Sequence, residues 1–262
     1  MNKIEQRVVV ISGCTSGIGK ELSSLYRQSG HIVIGLSRTA TDPDVAVDVT
    51  DYVAVERAVN DIYERYGRID TVIANAGGGL SGATELLPIE QIEKQLSLNF
   101  TGALNLAQCA LKVMKRGSNI AFISSACALF ALPYRAIYCA SKAAVNMAAY
   151  GLYMELKDHG IRVSTICPGD IQTNFTKNRV KCEDGGERYG DAPKLSAQKI
   201  DSREHKRMKL QPAAKKIYKY CTKCKKPLYI VGFKYKVLNF LRHILPQKLF
   251  LNVTAKMFSE RT

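Results

Sequence analysis

From residue 7 to residue 169, short runs rich in β-branched residues alternate with longer stretches whose apolar residues recur every three or four positions. Residues 7–13 (RVVVISG), 31–38 (HIVIGLSR), 45–49 (VAVDV), 69–77 (IDTVIANAG), 118–125 (SNIAFISS) and 161–169 (IRVSTICPG) read as strands. Residues 19–30, with Leu22, Leu25 and Tyr26 on one side, 52–67, 89–114 and 138–160 read as helices. Such alternation implies parallel βαβ units, and right-handed crossovers place helices on both faces. The predicted architecture is α/β: a doubly wound parallel sheet. Little chain separates the second and third runs, so the crossover helix there is expected to be short or absent.

Beyond residue 169 the texture changes. Residues 177–210 are polar, charged and weakly periodic and read as a flexible lid, 211–226 as a helix, 227–232 as a short strand, and 233–258 as a basic amphipathic helix pair broken at Pro246. The change coincides with the charge. Residues 1–170 carry 16 Lys+Arg against 16 Asp+Glu, and residues 171–262 carry 22 against 7, so the whole formal charge of +15 lies in the C-terminal third. The expected organisation is one domain over 1–262, with a cofactor-binding and catalytic core at 1–175 and a basic lid and C-terminal helices at 176–262. A basic third admits an acidic partner, an anionic membrane surface or nucleic acid, alongside a merely solvated face. No zinc-finger spacing, aromatic–basic RNA motif or recognition-helix pattern supports nucleic acid, and none is expected to bind.

A chain of 262 residues with 46% hydrophobic residues buries a core without covalent staples. The eight cysteines are therefore read as free thiols in a reducing compartment. No leader pattern opens the sequence, and no apolar run approaches the ~18–20 residues of a membrane span. A cytoplasmic protein, with peripheral membrane contact through the basic third as a further option, is the expectation. Cys221 and Cys224 form a lone C-x-x-C without a second pair and are expected to be two exposed thiols at a helix end, with no metal bound. His205 and His243 show no partner pattern and are read as bystanders.

Two patterns carry chemistry. At the first strand–helix junction stands Ser12-Gly13-Cys14-Thr15-Ser16-Gly17-Ile18-Gly19. Glycines there permit a tight turn and let a pyrophosphate approach the backbone, with the free N–H groups of the helix start beyond it. Further on, Tyr138 and Lys142 lie four apart on a predicted helix and share a face. A phenol near pKa ~10 is a poor acid–base group at neutral pH unless a cation stabilises its phenolate, and a lysine one turn away supplies one. Cys139 between them is expected to face away from Tyr138, with no catalytic role.

Together these patterns resemble the short-chain dehydrogenases/reductases. The glycine spacing G-x-x-x-G-x-G matches Gly13, Gly17 and Gly19, with Ser12 in place of the usual threonine. The N-A-G motif matches Asn75-Ala76-Gly77, the N-x-x-G asparagine matches Asn99 with Gly102, and the serine thirteen residues before the tyrosine matches Ser125. Y-x-x-x-K matches Tyr138 and Lys142, and the P-G and following threonine match Pro168, Gly169 and Thr173. The resemblance covers roughly 6–175 and implies a Rossmann-like fold. It implies that Ser125 polarises the substrate oxygen, Tyr138 is the acid/base, Lys142 tunes it and grips the nicotinamide ribose, and Asn99 supports a proton relay. By the same resemblance Gly13, Thr15, Ser16, Gly17, Ile18 and Gly19 hold the pyrophosphate, Asp48 and Val49 bracket the adenine, and Asn75, Ala76, Gly77, Pro168, Gly169 and Thr173 line the cofactor.

The second strand ends in Ser37-Arg38, with no acid for a ribose diol, and an arginine there suits a 2′-phosphate. NADP(H) is therefore expected over NAD(H). The tail is similar to those of family members acting on retinoids and sterols, which implies a lipophilic alcohol or ketone, although Phe233, Val237, Leu238, Phe240, Leu241, Ile244 and Leu245 serve equally well as core cover. The expected reaction interconverts a carbonyl and a secondary alcohol, with a cofactor-binding regulator as the alternative. The resemblance also implies a homodimer or homotetramer.

Overall fold

The computed structural model describes residues 5–202 and 207–258. Its strands and main helices follow the order β1 (Val8–Ser12), α1 (Gly17–Gln28), β2 (Ile32–Ser37), β3 (Val45–Ala46), α2 (Tyr52–Tyr66), β4 (Thr71–Ala74), β5 (Leu80–Ser81), α3 (Ile89–Leu96), α4 (Gly102–Leu111), β6 (Asn119–Ile123), α5 (Ala136–Glu155), β7 (Arg162–Pro168), β8 (Val180–Lys181), α6 (Gly186–Tyr189), α7 (Ala192–Ser202), α8 (Leu210–Lys223), β9 (Leu228–Val231), α9 (Phe233–Ile244) and α10 (Gln247–Phe258). Seven strands pair in parallel in the order β3-β2-β1-β4-β6-β7-β9, and β5 and β8 form a separate two-stranded piece. Strand order reverses direction between β1 and β4, the switch point where such sheets open a crevice at their carboxyl ends. The doubly wound reading of the sequence holds.

The central strands are apolar on both faces because both are covered. On one side Val8, Val10, Val72, Ile120 and Phe122 pack with residues of α2, α4 and α5. On the other, Val9, Ile11, Ile73 and Ile166 pack with Leu22 and Tyr26 of α1 and Ala213 and Ile217 of α8. A third cluster joins Phe130 and Cys167 to Tyr235, Leu238, Phe250 and Phe258 of the two tail helices.

Four expectations change. The third strand stops at Ala46 rather than reaching residue 49, because the Asp48 carboxylate accepts from the N–H and hydroxyl of Thr50 at 2.9 and 2.8 Å and turns the chain. The long helix over 89–114 is divided: Ser97–Thr101 forms a π-helical turn between α3 and α4. The lid over 177–210 contains β8, α6 and α7, and Arg207 anchors it by donating to Thr176 Oγ1 at 2.5 Å and to the Ile200 carbonyl at 2.6 Å. Cys221 and Cys224 are buried rather than exposed, since α8 lays its apolar side on α1 and the sheet. The Cys224 thiol sits 3.0 Å from Ser164 Oγ, and burial raises both thiols. As expected, β2 and β3 are joined without a helix, and the tail helices part at Pro246. His243 Nδ1 lies 2.6 Å from the Asn239 carbonyl, within its own helix; His205 lies outside the described residues.

Candidate active site

A cavity of about 830 Å³ opens at the carboxyl ends of the strands. The turn after β1 forms its floor. Gly13 adopts φ +66°, and a Cβ at Gly19 would lie 2.1 Å from the Gly13 carbonyl oxygen, so the turn closes only with glycine at both. Ser12 in the threonine position loses nothing: its Oγ accepts from the N–H groups of Asn75 and Ala76 at 2.9 and 3.0 Å. Asn75 replies by donating its amide to the carbonyls of Ser12 and Gly13 at 2.9 and 3.1 Å. This reciprocal set ties the end of β4 to the turn after β1. α1 has no acidic residue in its first turn, and Ser16 makes no side-chain capping bond, so the helix N-terminus presents its N–H groups beside the cavity. These donors and the glycine cradle fit a dinucleotide pyrophosphate.

Of the residues singled out from the sequence, Gly13, Thr15, Ser16, Gly17, Ile18, Ser37, Arg38, Asp48, Val49, Asn75, Ala76, Gly77, Ser125, Tyr138, Lys142, Pro168, Gly169 and Thr173 line this one cavity. Gly19 and Asn99 stand behind its wall. At the outer end Thr15 Oγ1 and Ser37 Oγ are 3.2 Å apart beside exposed Arg38. Asp44, close in sequence, does not line the cavity; it is held by Arg27 at 2.5 Å and by the Gly35 N–H at 2.7 Å. The Thr50 N–H, ahead of the Arg38 charge, keeps the Asp48 carboxyl below its usual range.

At the inner end Tyr138 and Lys142 project from α5, and both are buried. Burial pushes the Tyr138 phenol up, while the Ser125 hydroxyl beside it favours the phenolate. Burial pushes Lys142 down to about 8. Lys142 Nζ donates to the Ile123 carbonyl at 3.0 Å. Asn99 is fully buried in the π-helical turn, a feature frequent at functional sites. Its Oδ1 accepts from the Gly78 N–H at 2.8 Å, and its Nδ2 donates to the Gly78 carbonyl at 3.1 Å and to Ser141 Oγ at 3.0 Å. Ser141 in turn donates to the Tyr138 carbonyl at 2.8 Å. Asn99 thus ties the loop after β4 to the first turns of α5.

Several lining residues escaped the sequence reading. Tyr235 of α9 lies against Gly169, where a Cβ would sit 2.0 Å from its ring, and its hydroxyl donates to Asp170. Phe175 stands 5.8 Å from the Tyr138 ring, centroid to centroid. Arg135, Arg179 and Arg207 also line the cavity. Cys127 does too, and its thiol is drawn down chiefly by hydrogen bonding with Cys139, which otherwise belongs to the buried tail cluster. None of these lining residues carries a sequence signal; Ser141, which stands behind the cavity wall beside Asn99, lies three residues after Tyr138 and one before Lys142.

A family model described as short chain dehydrogenase matches residues 7–184. The chain belongs to the short-chain dehydrogenases/reductases and is an oxidoreductase of that NAD(P)-binding family. It is 35% identical over 210 residues to a 3-ketodihydrosphingosine reductase of Bacteroides thetaiotaomicron, covering 77% of this chain and 78% of that one. It is 29% identical over 282 residues to the dehydrogenase/reductase SDR family member 7B of Rattus norvegicus, covering 98% and 83%. Among solved structures it shares the fold of a Streptomyces avermitilis short-chain dehydrogenase, with TM-score 0.80, 24% identity and 97% and 96% coverage. It also shares that of a Burkholderia cenocepacia short-chain dehydrogenase in complex with NADP, with TM-score 0.76, 22% identity and 95% and 97% coverage.

Proposed function

We propose that the protein reduces the ketone of a lipid-like substrate with NADPH, or oxidises the corresponding secondary alcohol. The observation that carries this reading is the placement of Ser125, Tyr138 and Lys142 on the wall of the cavity whose floor is the glycine turn. The nicotinamide supplies or accepts the hydride. The chain supplies position and the proton. Tyr138 is raised by burial and holds its proton at neutral pH, as a donor to a developing alkoxide must. Ser125 donates a hydrogen bond to the same oxygen. The Lys142 ammonium stabilises the phenolate left behind, and Asn99 fixes the helix from which both project.

The 2′-phosphate reading rests on Arg38 with the Thr15 and Ser37 hydroxyls, and on the engagement of Asp44 elsewhere. The lipid-like substrate is supported by the reductase relative and by apolar Leu80, Phe175, Val180 and Ile200 around the inner end. Phe233, Val237, Phe240 and Ile244 are exposed along α9, while Leu238 is buried and Leu241 packs on the core. That stripe among lysines suits contact with an anionic membrane from the cytoplasmic side. Among the described residues no helix is long and apolar enough to cross one. Met147 and Met154 are exposed on α5 and suit pairing with a second copy, in a homodimer or homotetramer.

NADPH oxidation over a panel of long-chain, steroid and retinoid ketones tests the reading. Turnover that disappears in Tyr138→Phe supports it, and full activity in that variant sinks it.

A further inference from the structure

Arg135 and Arg179 are 7% and 9% exposed, line the inner end of the cavity, and each has a buried N–H nitrogen without a hydrogen-bond partner: Nε of Arg135 and Nη1 of Arg179. Neither takes part in an ion pair among the described residues. Arg135 occupies the N-cap position of α5 without a side-chain capping bond and lies over the Phe258 ring at 5.8 Å. Arg179 follows β7, and its stem packs beside Phe175 where Gly79 leaves room. The titratable groups that face Arg179 are Arg135, Asp201, Tyr138 and Arg207. Asp201 Oδ2 is engaged by Lys181 at 2.6 Å while its buried Oδ1 has no hydrogen-bond partner and lies beyond bonding reach of Arg179, and Asp170 is engaged by Tyr235. Arg207 spends its guanidinium on Thr176 and Ile200.

An unpaired buried guanidinium is unfavourable. Burial and the neighbouring Arg135 charge work against the charged form of Arg179 and outweigh the opposing pull of the Asp201 carboxylate. The planar guanidinium fork matches a carboxylate or phosphate, whose arrival would relieve that cost. The cofactor's own phosphates do not explain the pair. The glycine turn and Arg38 lie on the β1–β2 side of the switch point, whereas Arg135 leads into α5 after β6 and Arg179 follows β7. Both arginine charges act on Tyr138.

We propose that Arg135 and Arg179 form an anion subsite beside Tyr138, so that the substrate is an amphipathic ketone or alcohol bearing a carboxylate or phosphate near its reacting carbon. This rests on the carbonyl-reductase reading, and it makes a cationic amine at the same position unfavourable.

The test is calorimetric binding of octyl phosphate, octanoate, octanol and octylamine to the full chain, with and without saturating NADPH. At least one anion is expected to bind tenfold or more tighter than octanol, and octylamine weakest. Arg135→Gln and Arg179→Gln should each erase most of the anion advantage over octanol, and Arg179→Lys should restore part of it, with thermal melts confirming that each variant is folded. The preferred anion distinguishes a phosphate from a carboxylate substrate. Octanol binding as tightly as both anions, or an advantage unchanged in both Gln variants, overturns the subsite. If the subsite binds anions and every ketone is inert, the subsite stands and the reductase reading falls.

Discussion

The ammonium of Lys142 donates to the carbonyl of Ile123, at the end of β6, across 3.0 Å. That bond aims the lysine into the site from a buried position where its charge is costly. A fall from 10.5 to about 8 corresponds to roughly 3 kcal/mol of unfavourable charge burial at pH 7. Because the folded pKa is the lower one, the cost is complete below pH 8 and fades as pH rises towards 10.5. Lys142→Met should therefore cut activity steeply, leaving a small residual rate, and still raise the melting temperature at pH 7, by roughly 2–6 °C once the lost hydrogen bond is allowed for. Melts at pH 7 and 10.5 check this; an equal gain at both pH values would remove charge burial as the cause.

On the proposed reaction, the same lysine sets a pH limit for ketone reduction. As Nζ deprotonates through about 8, the phenolate formed on proton transfer loses its cation. The kcat/KM for reduction should fall above that pH, and the limb should vanish in Lys142→Met, whose residual rate is pH-independent there. A pH–rate profile of both proteins decides it.

Tyr138→Phe removes the proposed proton donor while keeping the ring that packs beside Phe175. A loss of ~10²–10⁴ in kcat is expected, with little change in NADPH affinity. Single-turnover kinetics with cofactor fluorescence separates the two.

Arg38→Ala should weaken NADPH by about 10–100-fold, the value of one charge-assisted contact, and leave NADH almost unchanged. Titration with both cofactors checks it, and an equal effect on both would refute the assignment of Arg38 to the 2′-phosphate.

Cys127 and Cys182 are partly exposed, while the other six cysteines are buried. Burial raises the Cys182 thiol, and hydrogen bonding with Cys139 lowers that of Cys127. Iodoacetamide at pH 7 should modify Cys127 first and inactivate the enzyme, with NADPH slowing the reaction. Peptide mapping by mass spectrometry identifies the site.

The sheet and the glycine turn were legible because their causes are local: β-branched runs, helical periodicity, and glycines where a side chain would strike Gly13 or Asn75. The division of the 89–114 helix was not, because the π-helical turn at Asn99 answers to partners on other elements, Gly78 and Ser141. The burial of Cys221 and Cys224 depends on α8 docking against α1 and β6, which no spacing announces. Arg135 and Arg179 read as ordinary basic residues in the sequence; only the tertiary fold removes their partners and turns them inward.

Tyr235 binds the tail to the core at one point. Its ring occupies the space that the missing side chain of Gly169 leaves, and its hydroxyl is spent on Asp170. The segment that shapes the substrate end is therefore also a wall of the turn that borders the cofactor. Tails from related enzymes are not interchangeable cassettes here: a graft that moves α9 will alter nicotinamide affinity along with substrate preference, and chimaeras need Tyr235 carried across with the core.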